Sequence, residues 1–409
     1  MDNHNHNWIE DGGVTSARGF RAGAVFAGIK RPGKGKRDIG LIHSERPCEA
    51  AATFSRSSVL SPSVIISREL VQGGGPLHGV VATSGSANCA VGEQGFIDGR
   101  ETVALAGAAT GAGDKGMLIA TTGLIGVELP MSLLRTFIPQ IELSDEGGAG
   151  FARAIMTTDT APKEAALKVD LGGGETVALG GAATGSGMIH PDMATMLAFV
   201  TTDAAVTRDF LRAALSEAVG ATFNQIDVDG DQSTNDIAAV LANGAAGNAP
   251  LNGEGEASER FRAGLHKVCE ELAKMIVRDA EGGRHKLIEV EVDGAADDDS
   301  ARRAARAIAS SLLVKTAVYG QDPNWGRIMM ALGKSRIKLE EGRIKILIND
   351  IQIVEEGRAI AFNAHSVVQS LGSDTVAIRV ELGVGEGRGR AWGSELTEEY
   401  VIFNSAYTT

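Results

Sequence analysis

Glycine constrains this chain more than any other residue. It supplies 53 of 409 positions, about 13% against a usual share near 7%. The glycines cluster inside apolar sequence and follow no collagen period. Such clusters mark tight turns and close backbone approaches. Apolar residues make up 43% of the chain. That is enough for a sizeable core, in two or three domains or one large one. The net charge of −13 argues against a general binder of nucleic acid or anionic membrane, because no basic tract offsets it. Cys48, Cys89 and Cys269 are isolated and lack CxxC spacing. They fit a reducing compartment and argue against disulfides or a zinc site. The polar, acidic N-terminus shows no signal peptide, and no apolar run is long enough to span a membrane. A cytoplasmic location is expected. His4 and His6 read as a frayed polar tail rather than metal ligands.

The first half reads as short apolar strands punctuated by glycine, as in 14–30 and 79–87, with loops at 72–76 and 144–150. The second half carries clearer helices. With Ser258 as N-cap, Phe261, Leu265, Val268, Leu272 and Ile276 recur at helical spacing, and the helix ends near 281–283. Helices are also expected over 209–219 and 301–318. Strands follow at 287–292 and 376–382, and 344–348 pairs with 351–354 across Asn349-Asp350. This mixture predicts an α/β or α+β protein of layered sheets and helices. One stretch occurs twice: ETVALAGAATGAG at 101–113 and ETVALGGAATGSG at 175–187 agree at eleven of thirteen positions. A single echo is not a solenoid repeat. It reads as two Ala/Gly-rich segments with similar packing needs, in preference to two matching approaches to one site.

Several familiar motifs fail on inspection. Gly28–Gly35 nearly spells a phosphate loop, but Gly35 stands where Ser or Thr would hold magnesium. Asp227, Asp229 and Asp231 alternate as in a calcium loop. However, the glycine follows Asp229 and the twelfth position is Ala238, not Glu. The run 383–390 lacks dinucleotide-binding phase. No metal site is expected.

The informative stretch is GSGMIHPDMATMLAFVTTD, residues 185–203. It is a glycine turn, a proline bend, and then a threonine, Thr195, among apolar neighbours. A hydroxyl there needs a partner. On pattern alone it reads as a satisfied core threonine. The stretch resembles the cleavage-site motif of the ornithine acetyltransferase (glutamate N-acetyltransferase) family. The resemblance runs nearly end to end, through 12–30, 84–95, TTGLIG at 121–126, IMTTDTAPK at 155–163, 223–239, IVRDAEGG at 276–283, KTAVYGQDPNWGR at 315–327 and YVIFNSAYTT at 400–409.

What the resemblance implies is a layered αββα sandwich of the ornithine acetyltransferase and DmpA-like type, self-processed into two chains. The precursor would break between Ala194 and Thr195, giving an α chain of 1–194 and a β chain of 195–409 that share one core. Thr195 then carries a free α-amine beside its hydroxyl. An α-amine titrates at roughly 7.7–8.0, against about 10.4 for lysine, so one residue serves as nucleophile and base. The implied reaction is ping-pong. Thr195 takes the acetyl group of N2-acetylornithine and passes it to glutamate, within arginine biosynthesis. Thr122 and Gly123 are the implied oxyanion donors. Thr158, Thr184, Thr195, Glu281, Asn404 and Thr409 are the implied substrate contacts, Glu281 facing the positive amine of ornithine. The implied assembly is an α2β2 heterotetramer without a cofactor, and acetyl-CoA as a second acetyl donor stays open. The apolar run 400–403 is expected to tie the tail down as a strand.

One position departs from the family. Lysine usually precedes Gly-Ser-Gly, and here it is Thr184, a neutral hydroxyl in place of a cation. Lys163 or Arg278 is the candidate substitute. The departure keeps alive a second reading, a self-cleaving amidohydrolase or aminopeptidase that passes the acyl group of another amide to water. A third, an uncut nucleotide-binding protein built on 28–36, would leave a single 409-residue chain.

Overall fold

A computed structural model describes residues 7–30, 35–190, 196–282 and 285–406. In chain order come β1 (Asn7–Trp8), β2 (Phe20–Val25), β3 (Ile39–Phe54), α1 (Pro62–Gly73), β4 (Leu77–Ser86), α2 (Gly92–Thr110) and β5 (Met117–Leu124). Next are α3 (Met131–Phe137), α4 (Gly148–Ile155), β6 (Lys163–Gly172), β7 (Glu175–Thr184), β8 (Leu197–Thr202), α5 (Arg208–Ala221), β9 (Ile226–Asp227), β10 (Ile237–Ala242) and α6 (Gly255–Arg278). The remainder holds β11 (Leu287–Ala295), α7 (Asp298–Ala309), α8 (Leu312–Tyr319), α9 (Trp325–Lys334), β12 (Lys345–Ile348), β13 (Ile351–Glu355), β14 (Arg358–Ala359), α10 (Ala364–Ser370), β15 (Thr375–Glu381), β16 (Gly387–Ser394) and α11 (Glu398–Ala406).

The long strand β3 organises the first sheet. Its early residues pair with β2 and β4, and Glu49–Phe54 pair with β10. The register breaks between His43 and Cys48. Pro47 lies inside that break, where its missing N–H costs no ladder bond. The sheet therefore folds over along β3 into two half-sheets, β2-β3-β4-β5 and β1-β6-β7-β8-β10-β3. Alternate side chains show what each face meets. Val80, Ala82, Leu118 and Ala120 share a core with Ala178, Phe199 and Ala239 from the opposite half-sheet. Val81 and Ile119 face outward onto Ile66 of α1 and Val103 of α2. Ala198, Val200 and Val240 face outward onto Leu215 of α5 and Leu265 and Leu272 of α6. The result is an αββα sandwich, as expected. Segments from both sides of residue 194 lie in one half-sheet, because β7 pairs with β8, and β8 pairs with β10.

The second sheet, β14-β13-β12-β15-β11-β16-β9, has its own core, including Ile288, Val290, Ile346 and Ile378 against Ile308 of α7. It joins the sandwich through β9, which pairs with β16. Among the described residues no helix is long and apolar enough to cross a membrane.

Four local expectations change. The helix placed over 301–318 is two, α7 and α8, broken at Ser310-Ser311 because the Ser311 hydroxyl caps Val314 N–H. Ser258 is not an N-cap. It lies one turn inside α6, buried, accepting Gly253 N–H. The segment 144–150 is only partly loop, since α4 starts at Gly148. The run 400–403 is not a strand but part of helix α11, with Glu398 and Glu399 in its first turn, the favoured end for acids. The two echoed segments also diverge: the first lies in α2, and the second forms β7. His4, His6 and residues 31–34 of the phosphate-loop lookalike lie outside the described residues.

Candidate active site

Three strand ends meet at the site. Thr184, the last residue of β7, pairs with Leu197 at the start of β8, and Leu197 pairs with Ile237 at the start of β10. The Thr184 hydroxyl donates to Asp159 Oδ2 at 2.7 Å. Asp159 also accepts Gly185 N–H, Thr157 N–H and Lys163 Nζ. Burial alone would raise the Asp159 carboxyl, but Lys163 and the N–H donors outweigh it and hold the group below its ordinary value. Lys163 is 1% exposed. Its ammonium also donates to Asp279 Oδ2 at 2.6 Å and to Ala161 O at 3.3 Å. All three of its donors are taken, so Lys163 does not replace the missing cation. Arg278 does not replace it either, since its guanidinium binds Thr375 Oγ1 and Asp374 O at the second sheet.

A second cluster adjoins the first. Glu281, 8% exposed, follows α6, and its N–H binds Ser186 O at 3.0 Å. Asn404 of α11 donates Nδ2 to Glu281 Oε2 at 2.9 Å. The Thr158 hydroxyl shares a 2.6 Å bond with Ser186 Oγ and lies close enough to Glu281 to lower its carboxyl. A Cβ on Gly187 would lie 2.2 Å from Glu281 Oε2, so only glycine admits the carboxylate here. Burial raises the Glu281 carboxyl above its ordinary value, nearby Asp229 and Asp159 add to the rise, and the Thr158 and Asn404 bonds oppose it. A buried carboxylate with polar donors on one side is suited to receive a cation on the other.

The Thr122-Gly123 segment closes β5. Gly123 has φ +129° and lies beside Gly85, φ +122°. A Cβ on Gly123 would sit 2.4 Å from the Gly85 carbonyl carbon, so the pair requires glycine. The Thr121 hydroxyl, buried behind it, donates to Ala87 O at 2.9 Å. The acids read as a failed calcium loop have other work. Asp229 accepts Met188 and Ile189 N–H, and Asp227 holds His190 and Lys315.

The structure thus brings Thr158, Glu281 and Asn404 into one cluster and places Thr184 beside it through Asp159. Thr122 and Gly123 stand at the end of β5. Ala194, Thr195 and Thr409 lie outside the described residues. Sequence reasoning passed over Asp159, Ser186 and Asp279, although all three fall inside or beside the motifs that carried the resemblance. It also passed over Asn235-Asp236, whose signal is a polar pair immediately before the all-apolar strand β10.

Known proteins resemble this chain over nearly its full length. The ArgJ family model matches residues 21–409. The arginine biosynthesis bifunctional protein ArgJ of Symbiobacterium thermophilum is 47% identical over 405 residues, covering 98% of this chain and all of the relative. That of Thermus thermophilus is 45% identical over 396 residues, covering 97% of this chain and all of the relative. A solved structure of arginine biosynthesis bifunctional protein ArgJ from Bacillus halodurans is 45% identical, with a TM-score of 0.50. It is matched over 98% of its own chain by 51% of this one. With a family match over nearly its whole length and relatives of 45–47% identity covering almost all of it, this chain belongs to the ArgJ family and is an acetyltransferase of arginine biosynthesis.

Proposed function

We propose that acetyl transfer in this protein runs through Thr195 after the chain breaks between Ala194 and Thr195, giving chains 1–194 and 195–409. The Thr195 hydroxyl attacks the acetyl carbonyl of N2-acetylornithine while its α-amine takes the proton. Ornithine leaves as the amine, reprotonated, and acetyl-Thr195 remains. The amine of glutamate then attacks this ester, N-acetylglutamate departs and the hydroxyl is restored. Donors at Thr122 and Gly123 serve the tetrahedral oxyanion, where losing one typically costs about 3 kcal/mol of barrier. Glu281 receives the ornithine side-chain ammonium, with Thr158 and Asn404 orienting the carboxylate and Thr409 closing the site. Thr184 adjoins it as a neutral hydroxyl whose proton goes to Asp159. The reaction needs no cofactor, and acetyl-CoA serves as the second acetyl donor of a bifunctional enzyme. The two chains stay together as an α2β2 heterotetramer in the cytoplasm.

The observation that carries this reading is the hydrogen-bonded cluster of Thr158, Ser186, Glu281 and Asn404, in which Ser186 belongs to the segment that leads from β7 toward Ala194-Thr195. The solved relative, whose polypeptide corresponds to about half of this chain, supports the cut. Exposed Leu312 and Leu313 on α8 supply apolar surface for assembly. Intact-mass and N-terminal sequencing test the reading. Wild type is expected to give two chains, one beginning Thr-Met-Leu-Ala, while Thr195→Ala stays whole and inactive. A cut Thr195→Ala protein would sink the mechanism. The hydrolase alternative rests on Thr184, and ornithine release without glutamate acetylation would favour it.

A further inference from the structure

We propose that Asn235-Asp236 is a positioning pair that fixes the oxyanion segment against the nucleophile strand. The proposal rests on the Thr195 reading above and adds two residues that neither the motifs nor that reading assigns. Asn235 is 6% exposed. Its side-chain amide donates to Ala87 O at 2.6 Å, Thr121 O at 2.9 Å and Thr121 Oγ1 at 2.9 Å. These groups fix the backbone immediately before Thr122. Asp236 is 2% exposed. Its Oδ1 accepts Met196 N–H at 2.9 Å, and Ile237 N–H donates to Met196 O at 3.1 Å. Met196 is thus held at both its amide and its carbonyl, one residue after Thr195.

Consecutive Cα atoms are about 3.8 Å apart. One dipeptide therefore sets the spacing between the end of β5 and the start of β8. These two elements lie in different half-sheets and share no ladder bond. The dipeptide is itself held, because Asp236 O accepts Ser55 N–H from the residue after β3. The second carboxyl oxygen of Asp236 is buried, on the side of the Ser233 and Ser55 hydroxyls. Burial pushes this carboxyl well above its ordinary value, against hydrogen bonds from Ser233, Ser55 and the Met196 N–H that lower it. Asparagine keeps an Oδ1 acceptor for the Met196 N–H, and alanine does not. At Asn235 the chemistry is reversed. Aspartate there would turn acceptors toward the carbonyls of Ala87 and Thr121.

The test uses full-length wild type, Asp236→Ala, Asp236→Asn, Asn235→Asp and, as uncut control, Thr195→Ala. Cleavage is followed by intact mass, acetyl transfer by kcat and KM on the cleaved fraction, and folding by circular dichroism. A misplacement of about 1 Å can cost on the order of 100-fold. Asp236→Ala and Asn235→Asp are therefore expected to slow cleavage and to lower kcat about 100-fold with KM nearly unchanged. Asp236→Asn is expected to recover most of that loss. The proposal is overturned if Asp236→Ala keeps its kcat, if the loss falls on KM, or if Asp236→Asn is as impaired as Asp236→Ala. If Asp236→Ala does not fold, Asn235→Asp and Asp236→Asn decide: a fully active Asn235→Asp overturns the pair. An uncut wild type would instead overturn the Thr195 reading, a separately visible outcome.

Discussion

The segments 101–113 and 175–187 differ at two of thirteen positions, yet the first is helix and the second is strand. In α2, Thr102 and Thr110 bond back to the carbonyls of Asp98 and Ala106, and Val103 and Ala106 face one core. In β7 both faces are used: Val177 and Leu179 meet α6, while Ala178 and Ala182 meet the other half-sheet. What precedes each copy decides the matter. The helical copy continues a helix begun at Gly92. The strand copy follows the Gly172–Gly174 turn, three glycines with positive φ that bring the chain back along β6. Sequences poor in large side chains leave the choice to their flanks, because neither state gains much packing locally.

One of the two differing positions sharpens the contrast. Gly180 stands where the helix has Ala106, and a Cβ there would lie 2.0 Å from Gly13 O, a backbone atom with no room to move. Gly180→Ala, which installs the helical residue in the strand, should cost about 3 kcal/mol of stability in a denaturant titration. Unchanged stability would break the argument that close approach demands glycine. The shared threonine comes next. Thr184→Val strips Asp159 Oδ2 of a buried donor and should cost about 2 kcal/mol, whereas Thr110→Val, on a partly buried helical back-bond, should stay within about 0.5 kcal/mol. Equal losses at the two sites would show that Thr184 is only packing. The reverse swap, Ala106→Gly, should cost about 1.5 kcal/mol through helix propensity and a lost buried methyl, and the thermal midpoint will register it.

Much of this architecture was legible where pattern and turn chemistry agree. Asn349 and Asp350 take φ of 46° and 65°, the geometry their side chains tolerate, and they join β12 to β13 as expected. The apolar spacing of α6 likewise marked its buried face. Tyr400–Phe403 was not legible, because four apolar residues fit either period, and Val401 and Ile402 prove to be exposed on a helix. At the site, the motif match singled out Thr158, Glu281 and Asn404, which lie together, but not what holds them. Asp279 and Asp236 act through partners from distant parts of the chain, and spacing along the sequence carries no trace of such contacts.

The connection between Thr184 and Leu197 joins antiparallel neighbours, so opening it severs a hairpin loop and leaves every rung of the β7–β8–β10–β3 ladder in place. Two polypeptides made by such a cut would not trade partners on dilution or on mixing with another preparation. They would part only when the sandwich itself melts, and a covalently discontinuous enzyme would then unfold in the single step of an intact one.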